Sequence, residues 1–179
     1  MYAYFLSEAN IVDLRLVHLV RDSRPVIFSY IRKKFVPEIG YTATQNPFRT
    51  ALAWNLHNFL AERLQRKHTY VRIHYEELAP NPRKMIFHIL ETLGLLEDVG
   101  LEKNNAFAPF RDENRVVLGQ GHLVAGNAMR FKHGEMKIRL DEEWKKSLPL
   151  LYKATTTLIT APFLKKYGYS LNWGASYDD

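Results

Sequence analysis

No cysteine occurs among the 179 residues. That excludes disulfide frameworks, thiolate zinc sites and cysteine nucleophiles together, and it fits a reducing compartment. No apolar run reaches the roughly 18 residues of a membrane helix. The opening MYAYFLSEANIV lacks the basic stretch that begins a signal peptide. A soluble, cytoplasmic chain with no visible address is expected. Phosphate-loop signatures are missing too. No glycine is followed by lysine, so G-x-x-x-x-G-K-[ST] cannot be written, and Gly119-Gln120-Gly121 lacks the third glycine of G-x-G-x-x-G. H-E-x-x-H and G-x-S-x-G are also absent. The seven histidines pair with no other histidine or carboxylate at a recognisable ligand spacing, so no metal is expected. No internal repeat and no low-complexity stretch is present.

What is there has an ordinary globular balance, with 46% hydrophobic and 25% charged residues. A chain of this length reads as one domain, 1–179, burying roughly 70% of its unfolded surface. The net charge of +6 is unevenly placed. Residues 1–40 carry 6 basic and 4 acidic side chains, residues 41–90 carry 7 and 3, and residues 91–179 carry 12 and 12. The excess therefore lies in the first 90 residues. It is either a solvated basic face or an anion site, for a nucleotide phosphate or for nucleic acid.

The run LRLVHLV at 14–20 predicts a short buried strand, with His18 as a core histidine. Arg21-Asp22-Ser23 is a polar turn. Ser23 is placed to cap a helix through about Lys34, with Pro25 in its first turn where the missing N–H is harmless. This strand–turn–helix unit aims backbone N–H groups over the strand's carboxyl end. A helix over about 47–67 follows, with Leu52, Leu56, Phe59, Leu60 and Leu64 as its apolar face. Residues 70–75, YVRIHY, predict a strand. Asn81 and Pro82 then open a helix whose apolar face holds Met85, Ile86, Ile89, Leu90 and Leu93, and Gly94 ends it. Strand, helix, helix, strand, helix is the alternation of an α/β fold with a parallel sheet. Residues 95–140 read as long loops, with Gly119, Gly121, Gly126 and Gly134 among polar neighbours. Asp141 is placed to cap a helix holding Trp144 and Leu148. Pro149 ends or kinks it, a last helix covers about 150–166, and 174–179 read as a frayed tail.

The residues with the clearest chemistry are Arg21, just past the first strand, and Ser29, two turns into the next helix. An arginine fork and a hydroxyl at a helix start suit a phosphate dianion, although an arginine there also serves as an ordinary surface ion-pair partner.

Val17-His18-Leu19-Val20-Arg21-Asp22-Ser23-Arg24 followed by Ser29 resembles the 3′-phosphate-binding segment of sulfotransferases that use 3′-phosphoadenylyl sulfate (PAPS). Ala53-Trp54-Asn55 with Asn58 is similar to the family's following helix. Tyr75-Glu76-Glu77-Leu78 with Asn81-Pro82 resembles its R-Y-E-D-L…N-P stretch. His122 with Gly126-Asn127-Ala128-Met129-Arg130-Phe131 looks like the H…G-N-P-M-R-F segment of carbohydrate-type and bacterial members. Asp141-Glu142-Glu143-Trp144 and Tyr167-Gly168-Tyr169 are similar to the closing D-x-x-W and Y-G-Y. The segments keep the family's order from about Leu14 to Leu171. The resemblance implies a parallel sheet flanked by helices in the nucleotide-kinase-like arrangement of P-loop NTPases. It implies sulfuryl transfer from PAPS to an acceptor hydroxyl or amine, with adenosine 3′,5′-bisphosphate leaving and no metal. Arg21 and Ser29 would hold the 3′-phosphate, Tyr75 would contact the adenine side, and Arg130 would add a further phosphate contact.

The sequence departs from the pattern at Ser23, where proline is usual, at His74, where arginine often precedes the tyrosine, and at Ala128, where proline is usual. A larger departure lies at the front. The family's 5′-phosphosulfate loop and general base precede the Arg21 segment, and about twenty residues leave no room for them. The expectation is a sulfotransferase domain whose N-terminal part is incomplete, with no assignable catalytic residue and no turnover alone. The 14–20 strand would then have an unpaired edge and uncovered apolar surface unless residues 1–12 supply a substitute strand. The alternative reading is a non-catalytic nucleotide-binding or scaffold module derived from a sulfotransferase. A carbohydrate or lipid hydroxyl is the expected acceptor, from the G-N-A-M-R-F segment. Nucleic acid is not an expected partner, because the basic clusters are short and lack a stacking-aromatic motif.

Overall fold

The computed structural model describes residues 2–9, 11–37, 39–98, 109–119 and 132–172. The chain opens with helix α1 (Tyr2–Ala9), so these residues add no strand to the sheet. Strand β1 (Arg15–Val20) leads through the polar turn into α2 (Ser23–Ile31). A small antiparallel pair, β2 (Phe35–Val36) and β3 (Gly40–Tyr41), turns through Gly40 at φ 75°. Helix α3 (Pro47–Leu64) then returns the chain to β4 (Thr69–His74), which pairs with β1 in parallel from Arg15↔Thr69 to Val20↔His74. A short helix α4 (Tyr75–Leu78) and α5 (Pro82–Thr92) follow. Strands β5 (Arg115–Leu118) and β6 (Gly134–Lys137) form an antiparallel pair, and α6 (Trp144–Ser147) and α7 (Leu150–Lys166) close the described chain. The expected α/β class is present as a two-stranded parallel sheet flanked by helices.

The two faces of this sheet are covered differently. His18 and Val20 share a face with Tyr70, Arg72 and His74. Over it lies a core of Val20, Trp54, Leu164 and Tyr167, joining β1 to α3 and α7. Val71 and Ile73 point the other way and pack on Ile89 of α5 and on Leu93 just past its C-terminal end. Val17 and Leu19 share that second face, and each is 48% exposed. The buried strand expected at 14–20 is therefore half-buried. Among the described residues β1 has β4 as its one partner, so its other edge is open.

Several sequence expectations are corrected. Asp22, not Ser23, caps α2: its carboxylate accepts from Arg24 N at 2.8 Å, and the Ser23 hydroxyl pairs with Thr160 Oγ1 at 2.7 Å. The helix stops at Ile31 rather than Lys34 because Arg32 turns extended. Asn81 precedes α5 without a side-chain cap. Asp141 does accept from Glu143 N at 3.1 Å at the start of α6, but that helix is only one turn long. On α3 the buried residues are Thr50, Ala51, Trp54, Asn58 and Leu64, whereas Leu52, Leu56 and Phe59 are exposed. Part of the stretch read as loops holds the β5–β6 pair, which turns in at Gly134 with φ 90°. Gly121, Gly126 and the 174–179 tail lie outside the described residues.

His18 sits on the α3 side of β1 as a satisfied polar core residue. Asn58 Nδ2 donates to Trp54 O at 2.7 Å, so its Oδ1 faces His18 and accepts from Nε2 at 2.8 Å. Nδ1 is then the acceptor for the Tyr70 hydroxyl at 2.5 Å. This is the neutral imidazole. Burial, followed by the nearby Arg72, pulls its pKa below the usual 6.5, against the opposing effects of the Asn58 hydrogen bond and Glu62. Burial also pushes the Tyr70 phenol up to about 12. The unfolded chain therefore binds a proton at His18 that the native chain refuses. Stability is full above about pH 6.5 and falls as the pH drops below it. Urea midpoints are expected to fall between about pH 7.5 and pH 5.5, with a shallower fall in His18→Gln. Equal slopes in the two proteins would contradict this assignment.

Candidate functional site

The parallel register carries two predicted residues to one place. Val20 and His74 are the last paired residues of β1 and β4, so Arg21 and Tyr75 leave the sheet side by side at its carboxyl end. The Arg21 guanidinium lies 4.2 Å over the Tyr75 ring. Tyr75 opens α4 rather than closing a strand, which turns its ring toward Arg21. Arg21 Nη2 donates to Asp141 O at 3.1 Å, while Nε is buried without a partner. Among the described residues Arg21 makes no carboxylate ion pair. Beside it opens a cleft of about 220 Å³, walled by Asp22, Glu76, Asp141, Trp144 and Tyr169.

Arg24, which the sequence reading left without a role, braces this turn. Its side chain is 1% exposed and grips Asp22 with both arms of the fork, Nε to Oδ1 at 3.0 Å and Nη2 to Oδ2 at 2.5 Å. It also donates to Ser170 O at 2.9 Å and Asn172 O at 3.1 Å, and it lies 5.0 Å over the Trp144 ring. Glu76 is a second brace. It accepts from Asp22 N at 3.3 Å and from the Tyr169 hydroxyl at 2.6 Å. Since Tyr169 donates to Glu76, His74 Nδ1 donates to the Tyr169 oxygen, at 3.2 Å. Burial, and then Glu76, hold the Tyr169 phenol far above its ordinary range. These two contacts tie β4 and α4 to the Tyr167-Gly168-Tyr169 segment.

Comparison with family models, with curated proteins and with solved structures gives no match. The chemistry of the site is therefore set by its own residues. An arginine stacked on a tyrosine, free of carboxylate partners, at the carboxyl ends of parallel strands can receive an oxyanion. The cleft is acidic around this arginine: Asp22, Glu76, Asp141 and Glu142 line it together with Arg21 and Lys145. Nearby, burial and then Arg32 hold the Lys34 ammonium below its usual range, while Asp141 and Glu143 oppose them.

The helix start contributes less than the strand–turn–helix pattern predicted. The Asp22 and Arg24 N–H groups are taken by Glu76 and Asp22, and Pro25 has none. An anion here relies on the Arg21 side chain rather than on a bare helix terminus. Ser29 is exposed on α2 and shares no hydrogen bond with Arg21 or Tyr75 among the described residues. Arg130 and His122, with the G-N-A-M-R-F segment, lie outside the described residues. Among the described residues no three histidine or carboxylate side chains group as a metal site, and no helix is long and apolar enough to cross a membrane.

Proposed function

We propose that this chain holds the 3′-phosphate of 3′-phosphoadenylyl sulfate as part of a sulfotransferase of the nucleotide-kinase-like fold. The sulfuryl acceptor would be a carbohydrate or lipid hydroxyl. The observation that carries the reading is the Arg21 guanidinium stacked 4.2 Å over Tyr75 with its Nε unpartnered, at the carboxyl end of the parallel pair. The resemblance of the Arg21–Ser29, Tyr75–Pro82 and Asp141–Trp144 segments to sulfotransferases names the ligand. Arg21 supplies the charge-assisted donors, Ser29 a hydroxyl, Tyr75 a contact on the adenine side from the part of its ring that Arg21 leaves free, and Arg130 a further cation.

One observation favours a second reading, a non-catalytic module descended from the same family. Asp22 and Glu76 occupy the N–H groups at the start of α2 and would repel a phosphate dianion. Calorimetric titration with adenosine 3′,5′-bisphosphate separates the two readings. Binding by the chain, weakened tenfold or more in Arg21→Ala, is the expected result, since a hydrogen bond to a charged group contributes about 1.5–3 kcal/mol. No binding by a demonstrably folded chain would favour the scaffold reading.

A further inference from the structure

Helices α3 and α7 run in the same direction. Asn55 Nδ2 donates to Ile159 O at 2.8 Å, and Glu62 meets Lys166 at 2.5 Å near the two C-terminal ends. Between these ends and β4 opens a second cleft, of about 710 Å³. It shares no lining residue with the cleft beside Arg21. Arg63 and Arg66 reach it from the end of α3, Arg72 from β4 and Lys166 from α7, around the single carboxylate of Glu62.

Part of this charge has a purely structural cause. Helix C-terminal ends carry partial negative charge and favour cations. Glu62 holds Lys166 and lies 3.9 Å from Arg72. Arg63 and Arg66 differ: both are exposed, and neither has a carboxylate partner among the described residues. Neighbouring Lys67, by contrast, is paired with Glu8 at 2.8 Å.

We infer that this cleft is a binding site for a compact small molecule bearing several phosphate groups. The four cations converge from three elements around one carboxylate, which suits clustered anionic groups rather than an extended chain. The volume lies in the range of small-molecule sites. Single-stranded nucleic acid fits less well, because it needs aromatic faces open for base stacking. Here Arg63 lies 5.5 Å over the Phe59 ring and Lys166 5.9 Å over Phe163, so each ring already carries a cation.

The test is calorimetric titration of inositol hexakisphosphate into the full chain at low and moderate salt. Saturable binding that weakens with salt is expected. The double variant Arg63→Gln, Arg66→Gln should bind at least tenfold more weakly, the size of one charge-assisted hydrogen bond. Arg21→Ala should leave this titration unchanged, and the double variant should leave that of adenosine 3′,5′-bisphosphate unchanged, so the two sites fail independently. Thermal unfolding checks the fold of each variant. If the double variant does not fold, Arg66→Gln alone is expected to weaken binding roughly tenfold. The proposal is overturned by no binding, by unchanged affinity in the folded variant, by loss of binding in Arg21→Ala, or by tighter binding of a short oligothymidylate.

Discussion

Arg24→Ala is expected to destabilise the chain by about 3–5 kcal/mol, the usual penalty for removing one partner of a buried ion pair. Arg24 is 1% exposed and Asp22 6% exposed, so the substitution leaves a carboxylate buried without its counter-charge. It also frees the carbonyls of Ser170 and Asn172, which end the described chain at the turn. Arg24→Lys should recover little, because one ammonium cannot span both oxygens of Asp22 and still reach those carbonyls. The pair itself is not the source of the stability. Replacing both members, as in Arg24→Met with Asp22→Asn, is expected to destabilise less than Arg24→Ala alone, since no buried charge then remains. Urea unfolding of the three variants checks this order. A loss below about 1 kcal/mol in Arg24→Ala would mean that the turn tolerates an unpaired Asp22.

Arg24 also shows where sequence reading stops. The Arg21-Asp22-Ser23-Arg24 run marks a polar turn, and its first arginine is legible as a site residue because it follows a strand. The role of the second arginine depends on carbonyls 146 and 148 residues away, and no local pattern encodes that distance. The meeting of Arg21 with Tyr75 was legible in outline, since parallel strands bring together the residues that follow them. The stacking needed the register Val20↔His74, which neither strand carries alone. Strands of two to four residues, as in the β2–β3 and β5–β6 pairs, are too short for an alternation to show above their glycines and charges. Helix α5 was readable because its apolar face is the face it buries, on Val71 and Ile73.

Trp54→Ala should cost about 3–5 kcal/mol, while Leu52→Ala two residues away should cost no more than about 0.5 kcal/mol. The contrast follows from the orientation of α3. Two stripes on this helix have helical spacing, Leu52-Leu56-Phe59 and Ala51-Trp54-Asn58, their centres about 130° apart on an α-helix. Hydrophobicity alone selects the first. The helix buries the second, because Trp54 must fill the space between Val20, Leu164 and Tyr167, and Asn58 must reach the His18 imidazole. Trp54 meets Phe163 and Tyr167 edge-on at 6.3 and 6.2 Å, so its loss opens a cavity among three elements rather than at a surface. Leu52 is 61% exposed and loses little by truncation. Urea unfolding of the two single variants reads the difference directly. Comparable losses would mean that α3 packs through its leucine stripe in solution, and Asn58 would then no longer face His18.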